Sequence, residues 1–432
     1  MRYPWIEVPF LLAGPLGRRR IAAAIRHYAW PLVAPTASLY RRTFLRNTKV
    51  VTLTGSFGKT TTARCVLAAL EGQDDPRIGG NSWTSQALAV LRTAPSRKFA
   101  VIEVGIAYPG EMEVFARFHR PDIVIVTGIG SEHNRSFGTL ETTREEKVKL
   151  VRAVRPEGTV ILNGDDPNVR WMATQTKART ITYGFGEDND VRADGYTLKW
   201  PEGSRIRVTV DGQSVDLQSR LLGQHHVYPI LAAVAAAWSQ GISPAQIHPA
   251  LGRIRPGRGR LEVRKLDGDI FLLCDDFKSA PETIDAALDT LAEIPASRKL
   301  VVLGDVSEPP GVQGQVYRHF GERIARVADR AVILGTSLRR YRAGARPAGM
   351  PDSRMETAEM SVIQAAAMVR ERMRSGDVIL IKGRDNQRME RVALALQGRE
   401  VKCDIPLCRA KRTSCGNCPM LESGWEGKRV VT

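Results

Sequence analysis

The chain has 432 residues, 43% of them hydrophobic and 25% charged, an ordinary composition for a folded soluble protein of two or three domains. Its net charge of +17 is unevenly spread: residues 1–49 carry nine Lys and Arg against the single Glu7, an excess of eight before the first motif. Such an excess serves nucleic acid, anionic lipid or a phosphorylated substrate, and no nucleic-acid-binding motif accompanies it, which sets the first aside.

Residues 1–48 read as short amphipathic helical pieces punctuated by prolines. Val8–Leu16 is apolar but interrupted by Pro9, Gly14 and Pro15, and its basic cluster Arg18-Arg19-Arg20 follows it. A spanning helix needs about 20 apolar residues, and a secretory signal carries its charge first. A cytoplasmic chain is expected, with a peripheral membrane or protein partner left open for this basic segment.

At Lys49 the texture changes. Lys49–Thr54, Phe99–Val104 and Asp122–Thr127 are β-type runs of the kind buried on both faces, alternating with helical Thr61–Leu70, Ser85–Leu91 and Leu140–Val154. That alternation predicts an α/β fold with a parallel, doubly wound sheet. Residues 180–220 are shorter and more polar in pattern, with turns at Gly184, Gly203 and Gly212, and read as a small antiparallel insertion. His226–Gln240 is Ala-rich and helical, and Gly252–Arg260 reads as a hinge. A second α/β block follows, with strands at Phe271–Cys274, Lys299–Leu303, Arg330–Leu334 and Asp377–Ile381 and helices at Pro281–Leu291, Gln315–Val327 and Ser361–Met373.

The expected organisation is therefore a basic segment 1–48, a central P-loop-type domain 49–258, a Rossmann-like C-terminal domain 259–398 and a Cys-rich tail 399–432. Cys65 and Cys274 lie inside apolar runs and read as core residues. Cys403, Cys408, Cys415 and Cys418 cluster in the tail and read as an S₄ metal site, structural Zn²⁺ ahead of an iron–sulfur centre. The basic Arg409, Lys411 and Arg412 mark the tail as a docking element.

The sharpest signal is Thr54-Gly55-Ser56-Phe57-Gly58-Lys59-Thr60-Thr61, set between a strand and a helix. Gly55 and Gly58 let backbone N–H groups close around phosphate oxygens, and the helix N-terminus adds its dipole. Lys59 would neutralise the β- and γ-phosphates of ATP, and Thr60 would bind Mg²⁺. The strict pattern has Gly where Leu53 stands, so this is a variant.

That variant resembles the ATP loop of the Mur ligase family, and further segments resemble the same family in order over about residues 49–398: FAVIEVGIAYPGEME (99–113), PDIVIVTGIGSEHNRSFGTLE (121–141), Lys147 six residues beyond Glu141, ILNGDDP (161–167), Gly223-Gln224-His225-His226-Val227-Tyr228, VVLGDVSE (301–308) and Ile381-Lys382-Gly383. The closest branch is the one that adds D-alanyl-D-alanine to a muramyl tripeptide. The resemblance implies an ATP-dependent ligase that phosphorylates a carboxylate and lets an amine attack the acyl phosphate. It implies Glu103 and His133 as Mg²⁺ ligands, Lys147 as a carbamoylated metal-binding lysine, Asn163, Asp165 and His225 near adenine and ribose, and Arg260 near nucleotide once the C-terminal domain closes. A surface lysine remains the alternative for Lys147, beside Glu145 and Glu146, which read as surface charges.

Asp275-Asp276-Phe277-Lys278-Ser279-Ala280-Pro281 departs from the family pattern, with Lys278 and Ala280 where two Asn are expected. A Lys there is closer to the D-glutamate-adding branch, so Asp276 and Lys278 stand as site candidates with the amine pocket open. Only about 48 residues precede the ATP loop, too few for the family's UDP-binding domain. The substrates expected are a peptide-precursor acid and an amine, with a diverted acid or a nucleotide-binding regulatory role as alternatives.

Overall fold

The computed structural model describes residues 28–73, 83–131, 134–408 and 414–424, with residues 18, 21 and 25 before them. They form two compact units, residues 26–255 and residues 256–432 with 1–25.

The first unit opens with helix α1 (Trp30–Thr43) and strand β1 (Lys49–Thr54), followed by α2 (Lys59–Glu71), α3 (Trp83–Leu91), β2 (Phe99–Glu103), α4 (Glu111–His119), β3 (Ile123–Val126), α5 (Leu140–Arg152), β4 (Thr159–Asn163) and β5 (Arg179–Gly184). Three more strands, β6 (Val191–Lys199), β7 (Gly203–Val210) and β8 (Gln213–Ser219), precede α6 (Val227–Trp238) and α7 (Pro244–Leu251). All eight strands make one sheet in the order β2-β1-β3-β4-β5-β6-β7-β8. The neighbours from β2 to β6 are parallel, and β6-β7-β8 is an antiparallel meander. The polar segment 180–220 is thus an extension of the main sheet. Its more polar composition follows from having only one face of β6 to β8 well covered, as the exposed positions along them show.

The parallel strands earn their apolar sequences by burial on both sides: every residue of β3 and β4 is buried. Val51 and Leu53 face a core completed by α2 and the buried, Ala-rich run 232–237 of α6. Val50 faces the opposite core, built with Phe115 and Phe118 of α4, Val148 and Val151 of α5, and half-buried Trp30 and Tyr40 of α1. Small side chains on α6 allow it to approach α2 closely, which is what an Ala run achieves on a helix.

The second unit contains β9 (Glu262–Leu266), β10 (Ile270–Asp275), α8 (Pro281–Glu293), β11 (Arg298–Leu303), α9 (Gln313–Val327), β12 (Arg330–Ile333), α10 (Leu338–Ala345), β13 (Met355–Thr357), α11 (Val362–Arg372), β14 (Asp377–Lys382) and α12 (Glu390–Leu396). Its sheet runs β13-β12-β11-β14-β10-β9, parallel except for the β9–β10 hairpin. The two short edge strands β9 and β13 carry too few apolar residues to be legible in the sequence. Residues 399–408 and 414–424 fold onto this unit: Lys402 and Cys403 donate backbone hydrogen bonds to the Leu421 carbonyl, and Cys408 donates to that of Asn386.

Candidate active site

Strand β1 lies between β2 and β3, so its carboxyl end sits where the strand order reverses, the place at which open α/β sheets hold ligands. The loop that follows turns tightly. Gly55 has φ +143°, and a Cβ there would stand 2.0 Å from Thr127 Oγ1. Gly58 takes φ +76° and leads directly into α2. Only glycine meets both demands, backbone conformation and close approach.

The loop is braced from β3. Ser56 N–H donates to the Gly128 carbonyl at 2.7 Å, Ser56 Oγ donates to the Gly130 carbonyl at 3.1 Å, and Thr127 Oγ1 donates to the Phe57 carbonyl at 2.6 Å. Thr54, Ser56 and Thr61 are buried. At the start of α2, Lys59, Thr60 and Thr61 bring their backbone N–H groups and the positive end of the helix dipole to this loop.

Lys59 curls over its own loop, donating to the Gly55 and Ser56 carbonyls at 2.7 and 3.1 Å. Lys147 arrives from α5 and donates to the same Gly55 carbonyl at 3.0 Å. Its side chain is buried, at 3% exposure, which excludes the surface-lysine alternative. Burial, reinforced by the Lys59 charge and only partly opposed by Glu146, holds the Lys147 amine well below the usual lysine range. Glu146 is likewise no surface charge: it is buried, and its Oε1 accepts the backbone N–H groups of Gly110 and Met112 at 2.8 and 3.2 Å. The alternation of charge along α5 concealed this, because Glu145 on the neighbouring face is exposed.

Glu103, the last residue of β2, is buried and accepts a hydrogen bond from Thr60 Oγ1 at 2.7 Å. Gln86 on α3 donates to the Glu103 carbonyl at 2.7 Å and meets the buried His119 through its other amide atom at 2.9 Å. Burial first, then the Arg41 charge, pushes His119 down to about 3, so it is a neutral hydrogen-bond partner that fixes Gln86. Mg²⁺ bound beside nucleotide phosphates takes one or two protein oxygens and keeps several waters. The adjacent Thr60 hydroxyl and Glu103 carboxylate fit that donor set. His133 lies outside the described residues.

Farther along the same sheet edge, Asn163 Nδ2 donates to the Thr127 carbonyl at 3.0 Å, tying β4 to the loop after β3. Asp165 collects four hydrogen bonds, from the Phe185 and Gly186 N–H groups, Asn189 Nδ2 and Tyr228 Oη, at 2.6, 3.0, 2.9 and 3.0 Å. Burial raises its pKa, but the four donors outweigh that and hold the carboxyl below its ordinary value. Asn189 and Tyr228 were not singled out from sequence. Tyr228 stands three residues beyond His225 in a quoted segment, and only the chain's return brings it to Asp165. His225 is half-buried, its ring 4.2 Å from that of the buried His226.

In the second unit, Asp276, Phe277, Lys278, the loop after β11 and the loop after β14 gather at the carboxyl ends of three adjacent parallel strands. Lys382 is 1% exposed, pairs with Asp275 Oδ2 at 2.8 Å and donates to the Lys278 carbonyl. Ser307 N–H donates to the Ser279 carbonyl at 2.7 Å, and Asp305 N–H to Gln387 Oε1 at 2.9 Å. Gly259, at φ +63°, lies so close to Asp276 that a Cβ would stand 2.7 Å from its Oδ1, and Arg260 stacks over the Phe277 ring at 4.5 Å. Asp276 keeps a partly accessible edge, yet burial, with Glu390 and Asp275 adding like charge, pushes its carboxyl up to about 6.

The tail corrects the metal expectation. Among the described residues no group of three or more His, Cys, Asp or Glu is placed to hold a metal ion, and all four tail cysteines are free thiols. The physical reason is arginine. The fully buried Arg391 donates to the Cys403 carbonyl and sulfur at 2.8 and 3.4 Å and to the Ile405 carbonyl at 2.7 Å, and Arg388 is bonded to Cys408. Two guanidinium groups therefore engage the side chains of Cys403 and Cys408. Burial, with Glu390 nearby, also pushes the Cys415 thiol up to about 12.

Comparison with known proteins agrees with this arrangement. The model of the Mur ligase middle domain matches residues 53–237, and that of the Mur ligase glutamate ligase domain matches residues 259–384. The chain is 27% identical over 351 residues to the UDP-N-acetylmuramoyl-tripeptide–D-alanyl-D-alanine ligase of Bacillus subtilis (strain 168), covering 80% of this chain and 75% of that one. It is 30% identical over 375 residues to the ligase of the same name from Mycobacterium tuberculosis (strain ATCC 25618 / H37Rv), covering 80% and 72%. In fold it is similar to MurF from Acinetobacter baumannii, with a TM-score of 0.75 at 21% identity over 86% of this chain and 81% of that one. MurF ligase from Thermotoga maritima, solved in complex with ADP, gives 0.73 at 19% identity over 86% and 84%.

Proposed function

The chain belongs to the Mur ligase family of ATP-dependent amide-forming ligases, and we propose that its acid is a muramyl tripeptide precursor and its amine D-alanyl-D-alanine. The observation that carries this reading is the convergence of Lys59 and Lys147 on the Gly55 carbonyl beside the Thr60–Glu103 pair, on a chain alignable over most of its length with ligases of that name.

A carboxylate is unreactive toward an amine because its departing group would be an oxide. ATP supplies the remedy: a carboxylate oxygen attacks the γ-phosphorus, ADP leaves, and the acyl phosphate now carries a good leaving group. The amine nitrogen then attacks the acyl carbon, phosphate departs and the nitrogen loses a proton. The protein's task is to hold two anions together. The α2 amides and Lys59 bind phosphate oxygens, Lys59 exchanging its loop carbonyls for them. Thr60 and Glu103 offer oxygens to Mg²⁺. Lys147, whose burial favours the neutral amine, offers the nucleophilic form that takes up CO₂ to become a carbamate. Asp165, ionised and braced, is set to accept from ribose or adenine donors. In the second unit, Lys278 and Arg260 are the cations we assign to the anionic acyl and nucleotide groups, with Asp276 beside them.

A second reading, another amine or acid on the same chemistry, is favoured by Lys278 and Ala280 in place of the family's two Asn. Mass spectrometry of enzyme, ATP, Mg²⁺, UDP-N-acetylmuramoyl tripeptide and D-alanyl-D-alanine tests the choice. The expected outcome is the amide with one ADP per bond. ADP release that appears only with other acids or amines would replace the first reading by the second.

A further inference from the structure

We propose that the edge of the eight-stranded sheet at which its parallel strands begin, together with the outer face of α1, docks on an anionic lipid bilayer surface. This edge is opposite the phosphate loop, and the inference does not depend on the substrates proposed above.

Strand registers place five strand starts side by side: Lys49 pairs with Phe99, Val51 with Ile123, Ile123 with Thr159, and Thr159 with Arg179. An exposed basic residue stands at each entry: Arg46 and Lys49, Lys98, Arg120, Arg155, then Lys177 and Arg179. Arg117 and Lys149 and Arg152, at the ends of α4 and α5, join Arg120 and Arg155 around an open hollow of about 500 Å³. Cations at helix C-termini complement the helix dipole, which accounts for Lys149 and Arg152. It does not account for Lys49, Lys98 or Lys177, which stand outside helices. Among the described residues the acids on this edge are Asp122, engaged by Arg41 and Arg155, Glu113 by Arg117, Glu145 by Arg152, Glu146 by Lys149, Glu71, which accepts the Phe99 N–H, and the exposed Glu157. Arg42, Arg46, Lys98 and Arg120 make no ion pair among the described residues.

The second observation is apolar. Helix α1 packs Trp30, Val33, Ala37 and Tyr40 inward. Its opposite face shows Leu32 and Leu39, 78% and 62% exposed, and Phe44 follows at 63%, stacked on Tyr40 at 5.2 Å. Arg41 fixes the C-terminal end of α1 to the basic edge, donating to the His119 and Arg120 carbonyls and pairing with Asp122 at 2.7 Å. Exposed leucines and a phenylalanine thus border unpaired arginines. A nucleic acid would use the cations and gain little from Leu32 and Leu39. A bilayer interface uses both, with apolar side chains at the acyl boundary and cations at the headgroups. With 14 residues α1 suits lying in that plane, and among the described residues no helix is long and apolar enough to cross a membrane.

The test is flotation of the full chain with phosphatidylcholine vesicles made with and without phosphatidylglycerol, at low and high salt. Expected is binding only to the anionic vesicles, weakened by salt. The pairs Leu32→Ser/Leu39→Ser and Arg42→Glu/Arg46→Glu should each lower it roughly tenfold or more while ATP turnover in solution stays unchanged. Absence of vesicle binding overturns the proposal, as does binding that survives both pairs. Capture of duplex DNA or RNA in place of vesicles overturns it too, as does self-association lost in the leucine pair without any vesicle binding.

Discussion

Lys59 and Lys147, far apart in the chain, donate to one acceptor, the Gly55 carbonyl, at 2.7 and 3.0 Å. Two lysine donors on one carbonyl, both buried and one held well below the usual lysine range, form an arrangement with no stability rationale of its own, since burying an amine costs free energy unless it is used. It becomes intelligible as a cradle for a triphosphate with a second function for Lys147. Lys59→Ala should keep the fold, judged by circular dichroism, and lower kcat by about 10²–10³ as a lost phosphate donor does. Turnover within a few fold of the parent would remove Lys59 from the mechanism.

Lys147 should depend on CO₂. Enzyme prepared in degassed, bicarbonate-free buffer should lose activity and regain it on adding bicarbonate, and ¹³C-bicarbonate should give a carbamate resonance absent from Lys147→Met. The folded-state pKa is depressed, so the unfolded state binds more protons between that pKa and the ordinary lysine value. Stability contributed at this site therefore rises with pH across that window. Lys147→Met should abolish the dependence, and should melt no lower than the parent at neutral pH. A Lys147→Met variant with full activity would falsify the assignment.

Thr60 and Glu103 share a 2.7 Å hydrogen bond and are proposed to share a cation. Glu103→Gln preserves the shape and removes the charge, so the Mg²⁺ concentration giving half-maximal turnover should rise at least about tenfold, with Mn²⁺ restoring part of the rate. An unchanged Mg²⁺ titration would leave Glu103 as a structural partner of Thr60.

Tyr228 Oη is one of four donors to Asp165. Tyr228→Phe removes a hydrogen bond to a charged group, about 1.5–3 kcal/mol in a partly buried setting, so the KM for ATP should rise roughly ten- to a hundredfold with little change in kcat. A fall in kcat at constant KM would place Tyr228 in the chemistry instead.

Asp276, raised to about 6 from an ordinary 3.8, binds its proton more tightly folded than unfolded. The folded state then holds more protons between those values, and stability falls as pH rises from about 4 to 6, by at most about 3 kcal/mol. Urea midpoints measured across that range should decline in the parent and flatten in Asp276→Asn. Identical slopes in the two would remove Asp276 as the titrating group.

Much of this architecture was legible along the chain. The glycine loop, its strand and its helix are contiguous, so turn chemistry and hydrophobic period were enough to place them. The strands β1 to β3 announced themselves as apolar runs because both faces are covered. Helix α10 and the edge strands β9 and β13 did not, because they are short and largely polar on one side. Asn163 and Asp165 could be pointed to from their motif, but the donors that define Asp165 come from residues about 20 and 63 positions later.

The sequence by itself determined which backbone segments could cradle a phosphate, since that property depends on glycine, a strand end and a helix start within a few residues. Tertiary structure alone decided which charges are buried. Lys147 and Glu146 look in sequence like Glu145, yet they face inward where α5 meets the loops after β1 and β2. The four tail cysteines look like metal ligands, yet Arg391 and Arg388, from an earlier helix and loop, hydrogen-bond to Cys403 and Cys408. Protonation state and ligand geometry are set by what the chain brings back to a residue, and no local pattern records that.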